Sequence, residues 1–330
     1  MEHAPAALPQ LRPMSLGDMF DAAFRLYRRF FLTFIGIAAL LQVPLAIAQM
    51  AVQLLVGGNL LTNWMRVVTR PGSTGSNPFE NLPLGQIITY FALVFGLAMV
   101  QVLLTQSLMT GALANAVARA YTGRPVSIIQ AYQIGWRRFF ALVGAALATF
   151  LVGAVALGVL GGCTVGVGFL LLRSGNENAG ILAGVLVAIA AFGLFALLIL
   201  ASMFFYTRLL LTTQAIVLEG QGPLAGLARS WRLTSGAFWR ALAITVLMYI
   251  LAYIIAGIPA SVISFALQLL SAGDLTAVMR NQAIVSGVAL LGQIIVIPLQ
   301  LVIYTLLYYD LRMRKEGYDL ELMAQQAASV

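Results

Sequence analysis

The chain has 330 residues, of which 61% are apolar and only 9% charged, with a formal net charge of +8. A soluble domain carries about a quarter charged residues and under half apolar ones, so an ordinary soluble protein is excluded. The mean hydropathy of +0.94 makes lipid the expected solvent, and the pI near 10 leaves an excess of arginine to explain.

Residues 1–14, MEHAPAALPQLRPM, are rich in proline and lack an apolar core. They read as a short disordered lead rather than a cleavable signal peptide. The first long apolar run is then expected to act as an uncleaved anchor. Residues 15–31, SLGDMFDAAFRLYRRFF, form an amphipathic helix on paper. Leu16, Met19, Phe20, Ala23, Tyr27 and Phe30 recur at three- and four-residue steps. Asp18, Asp21, Arg25 and Arg28 occupy another face, with Asp21 and Arg25 in the favourable ion-pair order. Ser15 followed by Asp18 matches a capping box.

Six apolar stretches follow: 30–56 with Pro44 inside, 84–118, 139–172, 179–211, 241–270 with Pro259, and 284–309 with Pro298. Each reaches the ~20 residues a helix needs to cross the hydrocarbon core. The runs are continuous rather than alternating, which favours helices over a barrel. The glycine-rich part of the third stretch, 158–168, leaves a re-entrant segment as an alternative. Residues 312–330 form a polar tail.

Two further segments resemble 15–31. Residues 127–140 read SIIQAYQIGWRRFF, and residues 222–239 read GPLAGLARSWRLTSGAFW, where Pro223 suits a first helical turn. Each of the three places an aromatic before arginine, then an aromatic pair, then an odd-numbered span. The fold expected is an all-α integral membrane protein, one polytopic domain over 15–311. It would hold six transmembrane helices in three parallel repeats (about 15–118, 125–213 and 222–311) of interfacial amphipathic helix plus helical hairpin. Two crossings per unit make the repeats parallel, with any symmetry axis along the membrane normal.

This topology puts fifteen of the nineteen basic residues on one side, leaving Arg66, Arg70, Arg173 and Arg280 on the other. By the positive-inside rule the richer side, with both termini, is cytoplasmic. Topology therefore accounts for the charge, and no nucleic acid is expected as a partner. Arg25, Arg28, Arg29, Arg137, Arg138, Arg229 and Arg232 are the candidate contacts to anionic lipid headgroups. The plainer reading is that they only fix orientation.

Uncharged polar residues also form stripes. Gln42, Gln49 and Gln53 share a face of the first span, Gln101 lies in the second, and Gln293 and Gln300 share a face of the sixth. They are candidates for a polar cavity, the alternative being hydrogen-bonded glue between helices. Gly158, Gly162 and Gly166, facing Gly180, Gly184 and Ala188, would let two antiparallel spans pack closely. Cys163, beside that stripe, reads as a small packing residue.

Residues for chemistry are scarce. Glu80, Glu177, Glu219 and Asp274 are the carboxylates between Asp21 and Asp310, all in loops or at span ends. The single histidine, His3, and the single cysteine, Cys163, cannot make a disulfide framework or a closed zinc site. No cofactor, metal or enzymatic activity is expected.

RPMSLGDMFDAAFRLYRRFF near the start, AIVLEGQGPLAGLARSWRLTSGAFWR in the centre and LLYYDLRMRKEGYDLELM at the end together resemble a bacterial family. It is the glycerophosphoryl diester phosphodiesterase membrane domain, and the likeness covers nearly the whole chain. Some members are fused to a soluble, metal-dependent phosphodiesterase; that catalytic part is missing here. The resemblance implies a stand-alone protein of the bacterial inner membrane and supplies no binding residues. The expected function is that of a non-enzymatic scaffold or accessory protein, partnered by membrane lipids or another membrane protein. A transporter or channel for a small or amphipathic solute is the alternative, and a lipid-headgroup enzyme a more distant one.

Overall fold

Ser15 starts the first helix. Its hydroxyl oxygen accepts the Asp18 amide at 3.1 Å, and the Asp18 carboxylate accepts the Ser15 amide at 3.2 Å. This is the reciprocal cap that the spacing implies. The computed structural model describes residues 14–60, 84–151, 153, 177–271 and 277–317. Among these residues all regular structure is helical.

In chain order the helices are α1 (Leu16–Arg29), α2 (Phe31–Val52), α3 (Leu84–Leu103), α4 (Thr110–Tyr121), α5 (Ile128–Arg137) and α6 (Phe139–Leu151). Then come α7 (Glu177–Leu209), α8 (Thr212–Glu219), α9 (Pro223–Thr234), α10 (Phe238–Ala252), α11 (Ile258–Leu270) and α12 (Ala277–Glu316). Wider π-helical turns at Gln53–Gly57, Leu104–Met109 and Tyr253–Gly257 extend α2, join α3 to α4 and join α10 to α11. Hydrophobic periodicity carries no signal for these turns.

Five helical stretches are long and apolar enough to cross a membrane: Phe31–Leu60, Leu84–Tyr121, Ala191–Glu219, Phe238–Leu270 and Arg280–Glu316. A sixth is counted if α5 and α6, bent by 64°, are taken as one span. Most of the expected third span beyond Leu151, with Gly158, Gly162, Gly166, Cys163 and the suggested re-entrant segment, lies outside the described residues. So do the side chains facing them at the start of α7.

Three short helices enter long ones through a brief non-helical break, one residue before α2 and α6 and three (235–237) before α10. Phe30 lies at φ −113°, ψ 24° before α2; Arg138 at φ −102°, ψ 5° before α6; Ala237 at φ −118°, ψ 20° before α10. Pro223 occupies the first turn of α9 as anticipated. The Asp21–Arg25 ion pair, by contrast, is not among those formed between the described residues.

α1 departs from its expected setting. The Met14 amide donates to Asp310 at 2.9 Å, and the Tyr27 hydroxyl donates to the Ile295 carbonyl at 2.8 Å. α1 therefore runs antiparallel beside α12, along fifteen residues or about 22 Å of it. Met19, Ala23 and Tyr27 are buried in the protein core, although the sequence places that apolar face against lipid. The physical reason is that α12 continues far enough to offer an apolar flank of its own.

The core gathers at the arginine-rich end. Ten of the twelve residues of α4 are buried, together with Ala215 and Ile216 of α8 and the Leu301–Tyr308 stretch of α12. α3, the other half of the same span, buries none. It presents Ile88, Phe91 and Phe95 outward, as α7 presents Phe192 and Phe195. Exposed apolar bands of this extent are what lipid chains solvate. Turning at Leu210–Leu211 sends the chain into α8, an additional buried helix where the sequence reads as span end and connector.

α12 approaches the α10–α11 junction at Gly292, where an added Cβ would collide with the Cα and Cβ of Ala256. Gly292→Leu is expected to lower stability by ~1–3 kcal/mol, the usual cost of overpacking. Gly287→Ala, whose Cβ would meet only the Met50 side chain at 3.7 Å, should melt like the parent. Thermal unfolding of the detergent-solubilised proteins compares them, and equal melting of all three would refute the close approach.

Candidate functional site

The arginines proposed to meet headgroups separate into two groups. Arg25, Arg28, Arg29, Arg137 and Arg232 are exposed. Large aromatics adjoin them in sequence: Trp136, Phe140 and Trp239 are exposed, the last at 78%, and Trp136 stacks on Phe139 at 5.5 Å. Arg138 and Arg229 turn inward. Arg138 donates to the Gly220 carbonyl at 3.1 Å. Gly220 ends α8 with φ +73°, and a Cβ there would lie 2.7 Å from the Arg138 guanidinium. Both the left-handed backbone and the close guanidinium favour glycine.

Arg229 grips Glu219 through Nε and Nη2 at 2.8–3.0 Å, and reaches both carboxylate oxygens of Glu316. Hydrogen bonds donated to these carboxylates, Glu316 foremost, hold its guanidinium above the ordinary arginine range. Glu219 also accepts from Gln221 at 2.9 Å and from the Tyr308 hydroxyl. Arg312 completes the cluster at 3.2 Å from Glu316 and 3.7 Å from Glu219. Lys315 caps the end of α9 by donating to the carbonyls of Arg232 (3.0 Å) and Ser235. Arg229 is thus engaged inside the protein, tying α8 and α9 to α12.

A second cluster lies around Asp310, whose side chain is fully buried. Its carboxylate meets Arg240 at 3.2 Å, Arg314 at 2.9 Å and the Met14 amide at 2.9 Å. Both arginines also donate to the Met14 carbonyl, at 2.6 and 2.8 Å. One residue of backbone is thereby held at both its polar groups. Asp310, Arg240, Glu219, Arg312 and Glu316 are not among the candidate site residues that the sequence suggests. The four-residue step from Asp310 to Arg314 was the available signal.

Arg208 forms a third feature. Its guanidinium lies 5.2–5.3 Å from the rings of Phe204, Trp231 and Phe238, within cation–π range. Its carbonyl accepts the hydroxyls of Ser230 and Thr234, which seats α9 against the end of α7.

The glutamines do not converge. Gln42 is buried and its amide reaches the Met109 sulfur at 3.7 Å. Gln49, Gln53 and Gln101 are half-buried, whereas Gln293 faces outward. Gln300 alone of these enters a cavity, of about 540 Å³, between α4, α6, α7, α8, α10 and α12. There its amide donates to Tyr304 at 2.7 Å and Tyr206 at 3.4 Å. The shared stripe of Gln293 and Gln300 is broken because their neighbours differ along α12, and Pro298 lies between them.

The same wall contains Thr105, one of the polar residues of the second span, and Gln214, which sequence reading missed. Gln214 is fully buried, and neither its amide nitrogen nor its oxygen has a partner among the described residues. Leaving such a group unpaired costs about 1–3 kcal/mol. Among the described residues no three His, Cys, Asp or Glu side chains gather as a metal site would require.

A family model described as "Domain of unknown function (DUF7847)" matches residues 14–311. No curated protein and no solved structure matches the chain. The matched region begins at the residue clamped by Asp310 and ends one position beyond Asp310 itself.

Asp310→Asn should keep an acceptor for Met14 but leave two guanidinium groups short of a counter-charge; Asp310→Ala removes both. Breaking a buried pair costs roughly 3–5 kcal/mol. Part of Arg314 is solvated, so the lower end is expected. Amide exchange over residues 14–29 should quicken in both variants, more in the alanine form. Unchanged exchange and melting would sink the clamp.

Proposed function

The chain belongs to the DUF7847 family, and from that premise we propose that it is a non-enzymatic, polytopic protein of the bacterial inner membrane. Its arginine-rich end and both termini face the cytoplasm. There it acts as a scaffold or accessory protein, holding anionic lipid headgroups and offering a platform to a partner membrane protein. The observation that carries this reading is the exposed arginine set, Arg25, Arg28, Arg29, Arg137 and Arg232, adjoined in sequence by exposed Trp136, Phe140 and Trp239. Arginines paired with amphipathic aromatics suit the headgroup layer. The resemblance of three segments to the glycerophosphoryl diester phosphodiesterase membrane domain agrees with a role beside lipid headgroups.

The three-repeat architecture belongs to the same proposal. Support comes from the recurring bend before α2, α6 and α10, each following a short helix that ends in arginine or shortly after it. A repeat of this kind would present three arginine–aromatic elbows at one membrane face. The scaffold reading is preferred to transport because Gln49, Gln53 and Gln293 stand apart from the cavity that Gln300 enters.

Replacing Arg28, Arg137 and Arg232 together by glutamine removes three exposed charges without touching the internal ion pairs. Each is worth about 1 kcal/mol of attraction to an anionic surface. Native mass spectrometry from mixed micelles should show fewer phosphatidylglycerol adducts, with phosphatidylcholine adducts unchanged. Equal phosphatidylglycerol retention would overturn the headgroup role. For orientation, a green fluorescent protein fused after Val330 should fluoresce and alkaline phosphatase fused there should be inactive; the reverse pattern inverts the topology.

A further inference from the structure

The cavity at Gln300 offers a chemistry different from the arginine surface. Its volume of about 540 Å³ is ordinary for a small-ligand site, and it is smaller than a whole two-chain lipid. Among the described residues its polar lining consists of hydroxyls and amides, from Tyr206, Tyr249, Tyr304, Gln214, Gln300 and threonines, with no charged side chain. A phosphate or ammonium placed there would lose its hydration with no counter-charge to replace it. Such a wall selects uncharged oxygen-bearing groups.

The mouth and the depth add the second constraint. Phe150, Tyr206 and Tyr249 line the cavity and remain accessible, and Tyr206 and Tyr249 continue into a groove shared with the exposed Ile199 and Ile250. The opening is therefore on the side of the bundle, where acyl chains would be. Along α6 the cavity runs from Leu142 to Phe150, roughly 6 to 18 Å beyond the bend at Arg138 if the helix rises regularly. A ligand could keep its polar end near Gln214 and extend apolar chains through the mouth. Gln214 supplies two donors and an acceptor, all unpartnered among the described residues, and Thr105 adds an unpartnered hydroxyl. Buried polar groups normally find partners, and an alcohol or ester oxygen would satisfy them.

We propose that this cavity binds the polar end of an uncharged, diacylglycerol-type lipid, its hydroxyl and ester oxygens meeting Gln214, Gln300 and the tyrosine hydroxyls. The site is independent of the anionic-headgroup surface.

The test uses the full chain in phosphatidylcholine nanodiscs with a diazirine-bearing dioleoylglycerol, and maps the crosslinked peptides. Labelling should fall on α7, α8 and α10 around the cavity. Unlabelled dioleoylglycerol should compete, whereas dioleoylphosphatidylglycerol and squalene should not. Gln214→Leu should lower labelling about tenfold, as expected for losing more than one hydrogen bond. If that variant fails to fold, the combination Tyr206→Phe with Gln300→Leu keeps the test, because both positions border the cavity rather than fill the core. Equal competition by dioleoylphosphatidylglycerol would mean that the cavity reads only chains and would overturn the proposal. So would scattered labelling, or full labelling of a folded Tyr206→Phe/Gln300→Leu protein. The Arg28, Arg137 and Arg232 triple variant should retain normal labelling, so failure of the anionic surface and failure of the cavity are read separately.

Discussion

The buried carboxylate of Asp310 constrains much of the arrangement around it. An ionised side chain without solvent is tolerable only with counter-charges and hydrogen bonds in place. Arg240 from α10, Arg314 from the next turn of α12 and the Met14 amide supply them. Meeting that requirement brings the start of α1, the start of α10 and the end of α12 to one point. The neighbouring Glu219–Arg229–Glu316–Arg312 cluster adds α8 and α9. Together the two clusters hold the arginine-rich end of the bundle by specific electrostatics; among the described residues the other end has apolar contact and the bonds that Asn281 donates to Leu267 and Ser271.

That division explains the burial pattern. α4 packs almost every residue inside while α3, continuous with it through a π-helical turn, packs none. Lipid chains are as apolar as leucine, so helices gain little from excluding them and pack tightly only where shape or polar bonding rewards it. At the polar end, close packing of α4, α8 and α12 is coupled to the ion pairs. Farther away, helices meet at small residues such as Gly292 against Ala256.

Features decided by local chemistry were legible in sequence. The Ser15–Asp18 cap and Pro223 in a first turn depend on residues a few positions apart, and the structure contains both. Most span boundaries were legible too, since hydrophobic length is a one-dimensional property. Partner choice was not. Arg28 and Arg29 stay exposed while Arg138 and Arg229 turn inward, and nothing within ten residues of Arg138 announces Gly220. Gln293 and Gln300 share a helical face but meet different surroundings. A chain solvated by lipid blurs the distinction further, because a core-facing and an outward-facing leucine satisfy the same hydropathy. The break at Leu210–Leu211 was hidden for that reason, as apolar residues continue on both sides of it.

The Met14–Asp310 clasp has a temporal consequence. A ribosome makes α1 before its docking surface on α12, almost three hundred residues later. Contacts so distant in sequence form late. Until the final helix emerges, the apolar flank of the nascent amino-terminal helix has only the bilayer surface or a chaperone to cover it. Assembly of this end is therefore a closing step, completed after synthesis of the last span, and chains that stop short of Asp310 leave their first helix undocked.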